Sequence, residues 1–214
     1  MNAPLLEAQS VQVRTGHYQP AAYDELHRWV SYWHQIQSIV RSGARSVLEI
    51  GVGSGVMSSY LRARLGFAVT TFDFDASLQP DVIGDVRELS SMVRERSFDA
   101  VVAFQVLEHL PFADFIPTLQ QIGKVARTAV ILSLPHYGWN VQGRIRLWKW
   151  DWAFSRRISK RPAWRFDGEH HWEIGTRGYP LSRVRAAVAA AFRIDREYFC
   201  PDYSYHYFFE GKPR

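Results

Sequence analysis

The chain has 214 residues, a formal net charge of +5, and 47% hydrophobic against 22% charged residues. This length and composition indicate one soluble globular domain, 1–214, large enough to bury a core. The single cysteine, Cys200, excludes an internal disulfide framework and a cysteine-based zinc cluster. With no signal-peptide pattern and no apolar run of membrane-spanning length, the cytoplasm is the expected location.

The positive charge is concentrated in one segment. Residues 144–166 contain eight basic residues and one acidic residue, a net charge of +7, so the rest of the chain is near −2. We therefore expect the basicity to reflect what this segment contacts, and not a general affinity for nucleic acid.

The N-terminal part combines a tail over 1–17 with a helical pattern. Apolar residues recur at helical spacing over 21–42, and Gly43 stands where a helix C-cap belongs. These features predict a helical cap over 18–43, with Trp33 packed in the core.

The next segment is a strand that leads into a glycine-rich turn. An apolar run over 46–50 is followed by Gly51, Gly53 and Gly55, and then by a helical pattern over 56–65. This order begins a nucleotide-binding βαβ unit, in which glycines let a ligand approach the backbone and the helix start supplies N–H groups.

Two residues distinguish this turn from a dinucleotide site. Val56 stands where a dinucleotide fingerprint has its third glycine. The carboxylate of Glu49, inside the strand, is unsuited to a pyrophosphate and suits a cationic ligand.

The rest of the pattern continues an alternation of strands and helices. It predicts strands over 67–73, 81–86, 97–104 and 128–134, helices over 111–127 and 180–191, and a closing antiparallel hairpin of 192–199 and 203–209 joined by 200–202.

Several of these motifs resemble class I S-adenosylmethionine (SAM) methyltransferases, in particular small-molecule enzymes of the quinone-biosynthesis-like group. The phrase Val-Leu-Glu-Ile-Gly-Val-Gly-Ser-Gly is similar to their first motif, and Gln-Val-Leu-Glu-His-Leu at 105–110 is similar to the loop after their fourth strand. The resemblance covers 45–134 strongly and 179–212 by topology. It implies an α/β fold with a seven-stranded, Rossmann-like, mostly parallel sheet and a C-terminal antiparallel hairpin. The implied divisions are a SAM-binding core over 44–135, an insertion over 136–178, and a C-terminal helix and hairpin over 179–214.

The resemblance also implies which residues hold the cofactor. The acid of the first motif places the ammonium end of SAM, the acid that ends the second strand receives the ribose hydroxyls, and an acid after the third strand accepts from the adenine amine. In this sequence the implied set is Glu49, Gly51, Gly53, Gly55, Asp73, Phe74, Asp85, Val86 and Gln105. Tyr32, on the N-terminal helix, is a candidate for lining the cofactor mouth. Only seven residues separate Asp73 from Asp81, too few for the helix that the family usually has there.

The insertion over 136–178 is not required by the simplest version of this fold. We interpret 144–159 as a helix with apolar residues on two nearly opposite faces. Three roles remain open: a lid packed between layers, a peripheral contact with an anionic inner membrane face through 144–166, or a surface for an anionic ligand.

Three histidines are candidates for a general base. His170 and His171 lie between Glu169 and Glu173, which can orient an imidazole and raise its basicity, and His109 follows the fourth strand. We favour His171 over His170, with His109 next and structural roles as the alternative. Adjacent histidines seldom bind one ion, so no metal is expected.

The sequence therefore predicts a SAM-dependent methyltransferase that releases S-adenosylhomocysteine. O-methylation of a sugar, a lipid-linked glycan or another small metabolite is the first interpretation. The alternatives are a nucleic-acid or protein methyltransferase that uses the basic insertion, although nucleic acid is not the expected partner, and a non-catalytic SAM-binding or membrane-adaptor protein.

Overall fold

The structure, a computed structural model, describes residues 23–201 and 203–214. The predicted tail over 1–17, the first residues of the predicted N-terminal helix, and residue 202 lie outside the described residues. In chain order the elements are α1 (Leu26–Arg41), β1 (Ser46–Ile50), α2 (Val56–Leu65), β2 (Ala68–Asp73), β3 (Val82–Ile83), α3 (Leu89–Met92), β4 (Phe98–Phe104), α4 (Phe112–Val125), β5 (Ala126–Pro135), β6 (Trp139–Leu147), β7 (Trp150–Ile158), α5 (Leu181–Ala191), β8 (Phe192–Phe199) and β9 (His206–Pro213).

Seven of the strands form one sheet, in the order β3–β2–β1–β4–β5–β9–β8. The first five strands are parallel, whereas β9 pairs antiparallel with both β5 and β8. This arrangement confirms the predicted fold class, including the C-terminal hairpin. The last strand starts three residues later than predicted and extends four residues further, to Pro213.

Helices cover both faces of the sheet, and alternate residues of the central strands point into two separate cores. Leu48 and Val101 pack towards Phe115 in the larger core, whereas Val47 and Val102 pack in the other core with Ile39 of α1. Strands buried on both faces are nearly continuous apolar runs, which is why β1 and β4 were recognisable in the sequence.

The connection between β2 and β3 is short. Between β2 and β3 the chain makes only a 3₁₀ turn, Ala76–Leu78, consistent with the short spacing in the sequence.

The prediction that Trp33 is a core residue is wrong, because its side chain is 57% exposed on the outer face of α1. None of the described helices is long and apolar enough to cross a membrane.

The insertion contains a β-hairpin where the sequence predicted a helix. Strands β6 and β7 pair antiparallel, from Trp139 opposite Ile158 to Leu147 opposite Trp150, and form a separate two-stranded sheet. The two-residue turn contains Trp148 with a positive φ of 47°. The apolar residues alternate along each strand, at odd positions before the turn and at even positions after it. On a helical wheel, where successive residues are 100° apart, apolar residues at every second position fall on opposite sides. The alternation of a strand was therefore interpreted as a helix with two apolar faces.

Candidate active site

A cleft of about 390 Å³ opens where β1, β2 and β4 end. The carboxyl ends of parallel strands are the usual ligand-binding edge of such a sheet. Nine of the predicted site residues line this cleft: Gly51, Gly53, Asp73, Phe74, Asp85, Val86, Gln105, His109 and His171. Glu49, Gly55 and His170 are not among the lining residues. The assignment of each residue to the cofactor or to catalysis stays a prediction.

The glycine turn shapes one wall of the cleft. Gly51 has a φ of +82°, and a Cβ placed there would lie 2.4 Å from the Val106 side chain. Both the positive φ and the close approach of Val106, in the loop after β4, therefore require glycine at this position. Gly55 also has a positive φ and is the N-cap of α2.

Asp73 joins the end of β2 to the glycine turn. One carboxylate oxygen accepts the Val52 N–H at 2.8 Å, and the other accepts the Asp75 N–H at 2.9 Å. Burial raises the pKa of Asp73, and the backbone hydrogen bonds act in the opposite direction. Since a carboxylate has about four lone-pair sites, Asp73 can still accept hydroxyl groups from the cleft that it lines.

Glu49 lies behind the glycine turn instead of in the cleft. Its side chain is buried, and its Oε2 atom has no hydrogen-bond partner among the described residues. Burial raises the pKa of this carboxyl to about 8, partly offset by a hydrogen bond with Ser58 and by the charge of Arg62. A buried carboxyl without full compensation favours a nearby positive charge, so the site fits a ligand with ammonium and sulfonium groups.

The side of the cleft predicted for adenine is formed by the short turn after β3. Val86 is buried, and Asp85 accepts from the Arg87 backbone N–H and pairs with its guanidinium group. Arg87, which sequence reasoning missed, therefore competes with any ligand amine for the Asp85 carboxylate.

The loop directly after β4 also lines the cleft. Gln105 has a positive φ of 57°, unusual for a residue other than glycine, and its amide nitrogen donates to Ser133 Oγ at 3.2 Å. Backbone held in a sparsely populated conformation is frequent at binding sites.

The structure separates the two adjacent histidines. His171 lines the cleft and stacks on Phe166, with ring centroids 4.5 Å apart. The His170 ring points away and donates from Nδ1 to Glu173 Oε1 at 2.9 Å. His109 lines the cleft, and its Nδ1 donates to the Glu169 carbonyl at 2.9 Å.

Sequence reasoning missed three further residues at this site. Tyr23 and Phe166 line the cleft; Tyr23 lies far in sequence from the recognised motifs, whereas Phe166 stands only five residues before His171. Glu108 lies within the recognised Leu-Glu-His-Leu motif and is fully buried. An acid in an otherwise apolar stretch was the signal that could have identified it.

Comparisons with known proteins agree with this geometry. The family model described as "Methyltransferase domain" matches residues 17–173. A comparison with curated proteins gives no match.

Three solved structures show the same fold at low identity. A SAM-dependent methyltransferase from Clostridium acetobutylicum has a TM-score of 0.60 at 10% identity, covering 93% of this chain and 96% of its own. The glycopeptide N-methyltransferase MtfA, complexed with SAM, has a TM-score of 0.56 at 15% identity, covering 86% and 94%. Magnesium protoporphyrin IX methyltransferase from Synechocystis, with bound SAM, has a TM-score of 0.55 at 16% identity, covering 100% and 87%.

The family match spans most of the chain, and the sheet order and the cleft are those expected for SAM-dependent enzymes. The chain therefore belongs to the methyltransferase-domain family and has the class I SAM-dependent methyltransferase fold.

Proposed function

We propose that this protein transfers a methyl group from SAM to a hydroxyl oxygen of a small, amphipathic acceptor at a membrane surface. The observation that carries the proposal is one cleft lined by Asp73, by Gly51 and Gly53 of the glycine turn, and by His171. The similar structures include methyltransferases with glycopeptide and porphyrin acceptors, which supports a small or medium-sized acceptor.

Methyl transfer from SAM requires alignment more than activation of the donor. The acceptor oxygen forms a bond to the methyl carbon while the carbon–sulfur bond breaks and its electrons stay on sulfur, giving S-adenosylhomocysteine. The acceptor hydroxyl loses its proton to a base. In this proposal the protein contributes in-line positioning and exclusion of water. His171, which lines the cleft, supports the proposal as the imidazole that accepts the proton.

Replacing His171 tests the proposed base. The His171→Ala protein should lose at least ~100-fold in turnover while its SAM affinity is unchanged, because the base acts only in the chemical step. His27→Ala is a matched control, since His27 is exposed and is not among the cleft residues. Turnover of His171→Ala within a few-fold of the original protein would assign the base to another group.

The acceptor class can be measured directly. Incubation of the protein with methyl-labelled SAM and fractionated cell extract should transfer label to the lipid or small-molecule fraction. Label in RNA or protein would instead support the alternative of a macromolecular substrate, and no transfer to any fraction would support a non-catalytic role.

The membrane part of the proposal rests on the hairpin of β6 and β7. Because residues opposite each other in the register share a face, one face of the hairpin carries eight apolar residues: Trp139, Val141, Ile145, Leu147, Trp150, Trp152, Phe154 and Ile158. All eight are exposed, with Trp150 at 80%.

Two lysines lie at the ends of this apolar face. Lys149 lies over the Trp148 ring at 5.2 Å and Lys160 over the Trp139 ring at 5.4 Å, at opposite ends of the hairpin. An exposed apolar patch of this kind marks an interaction surface. Its combination of tryptophan with lysine and arginine matches the interface of an anionic bilayer.

Vesicle sedimentation tests the membrane contact. A Trp150→Ser, Trp152→Ser protein should lose binding to vesicles containing phosphatidylglycerol, whereas Trp29→Ser, Trp33→Ser should keep it. The control pair is also exposed but lies on α1. Equal binding by both variants would refute the contact, and loss of a dimer in the hairpin variant would assign the face to a second copy of this chain.

A further inference from the structure

A cluster of three side chains beside the cleft has the composition of a metal site. Glu108, His109 and His170 each offer a ligand atom, and these atoms lie within 4.8 Å of one another. We infer that Glu108, His109 and His170 bind one divalent transition-metal ion. The sequence predicted no metal because His170 and His171 are adjacent, but the structure brings His170 to His109 instead, with ring centroids 4.9 Å apart.

Glu108 is the strongest reason for a cation. Its side chain is 0% exposed, and neither carboxylate oxygen has a hydrogen-bond partner among the described residues. An ionised carboxylate buried in this way is costly unless a positive charge compensates it. A protonated His170, which donates from Nδ1 to Glu173, is the competing source of that charge, and the metal titration below distinguishes the two.

Both histidine rings are oriented as in metal sites. His109 donates from Nδ1 to the Glu169 carbonyl, and His170 donates from Nδ1 to the Glu173 carboxylate. In a neutral His170 ring this leaves the lone pair on Nε2, the nitrogen that would bind a metal. Metal-binding histidines almost always donate their other N–H to a carboxylate or a carbonyl. Tyr205 supports this arrangement by donating to the same Glu173 oxygen.

The backbone holds the two contributing loops together. The His171 N–H donates to the Glu108 carbonyl at 2.9 Å, and the Trp172 indole donates to the Leu110 carbonyl at 3.0 Å. Metal bonds of about 2.0–2.2 Å place two ligand atoms at most about 4.4 Å apart, so the cluster needs only a small side-chain movement to close on an ion.

The donor set indicates the kind of ion and its use. Two imidazoles and one carboxylate suit Mn²⁺, Fe²⁺, Co²⁺ or Zn²⁺ better than Mg²⁺ or Ca²⁺, which prefer oxygen ligands. Three protein ligands leave positions for an exogenous oxygen. Because His109 also lines the cleft, such an ion would hold the acceptor hydroxyl and lower its pKa. This use rests on the proposed function, whereas binding of the ion does not.

Metal titration tests the inference without turnover. Untagged protein, dialysed against chelator, is titrated with Co²⁺ and followed by visible absorption, and with Mn²⁺ followed by electron paramagnetic resonance. One equivalent per chain should bind. Glu108→Gln and His170→Gln should weaken binding at least ~10-fold, whereas His171→Gln, the same substitution one residue away, should bind like the original protein.

Three readouts make the result decisive. Retained SAM affinity of Glu108→Gln and His170→Gln shows that the variants are folded, and if Glu108→Gln does not fold, His170→Gln decides alone. The inference is overturned if the original protein binds neither ion, or if all variants bind equally. The titration contains no acceptor and measures no turnover. The protein can therefore bind the metal even if the proposed methyl transfer is wrong, and it can transfer methyl groups even if it binds no metal.

Discussion

At the scale of single residues, the carboxylate of Asp73 connects cofactor binding to the geometry of the glycine turn. Its two oxygens hold the backbone of Val52 and Asp75 while the side chain lines the cleft. We expect Asp73→Ala to weaken SAM binding by roughly 2–3 kcal/mol, about 30- to 150-fold, because charge-assisted hydrogen bonds of this kind are lost. Isothermal titration calorimetry measures the change.

The control for this prediction is Asp75→Ala. Asp75 also lines the cleft, but its carboxylate accepts the Ser77 N–H in the following turn. Its replacement should change SAM affinity by only a few-fold. Unchanged affinity in a folded Asp73→Ala protein would show that the ribose is bound elsewhere.

A second residue-scale prediction concerns the proton on Glu49. Burial raises its pKa to about 8, so the carboxyl is mostly protonated at pH 7 in the free protein. A cationic ligand nearby lowers this pKa, and SAM binding at pH 7 should therefore release up to one proton. Calorimetry in buffers of different ionisation enthalpy counts the protons. Glu49→Gln should release fewer, and equal release by both proteins would show that Glu49 does not sense the cofactor.

At the scale of elements, the sequence was most informative where the chain is buried. Strands β1 and β4, the glycine turn and Asp73 were predictable because burial on both sheet faces and a required positive φ each constrain the residue type. The hairpin was not, because its apolar face is exposed among the described residues and burial does not constrain its residue types. The turn also shifts the phase of the alternation, so that the two nine-residue strands together resemble an amphipathic helix.

The site was predictable to a similar degree. Nine proposed residues line one cleft, since motifs at the strand ends meet at one edge of the sheet. Glu108 beside His109 and His170 was not predicted as a cluster, because the fold brings together positions about sixty residues apart and no local spacing encodes that contact.

The hairpin provides an element-scale prediction about charge. Lys149 and Lys160 stand at opposite ends of its apolar face. Each lysine near an anionic surface contributes about 1 kcal/mol at moderate salt. Lys149→Ser, Lys160→Ser should therefore reduce vesicle affinity roughly 30-fold at moderate salt and less at high salt. SAM affinity should be unchanged, and a loss that does not depend on salt would exclude an electrostatic contribution.

At the scale of the whole molecule, α1 connects the cofactor edge to the C-terminal hairpin. Tyr32 donates to Asp24 at 2.8 Å and lies 3.1 Å from Ser54 of the glycine turn. The preceding residue, Ser31, has its Oγ 2.7 Å from His206 Nδ1 at the start of β9. The first helix thus fixes two parts of the sheet that are far apart in sequence.

His206 makes this connection sensitive to pH. It is fully buried, and burial together with the charges of Arg28, Arg157 and His170 lowers its pKa to about 3. The ring is therefore neutral in the folded protein, and Ser31, which accepts from Gln35, can donate to it. In the unfolded chain the pKa is near 6.5. A folded-state pKa below the unfolded value stabilises the protein above about pH 6.5, and this stability is lost as the pH falls towards 3.

Replacing His206 isolates this contribution from the other titrating groups. The His206→Asn protein retains an acceptor at the Nδ1 position but does not titrate. The free energy of unfolding of the original protein should fall relative to that of the variant by roughly 2 kcal/mol between pH 7 and pH 5, the cost of withholding one proton from an imidazole. Urea denaturation of both proteins across this range gives the difference, and His27→Asn, which changes an exposed histidine and keeps His206, should follow the original protein. Parallel curves for the original protein and His206→Asn would mean that His206 titrates alike in the folded and unfolded states, and that α1 is not held by a neutral histidine.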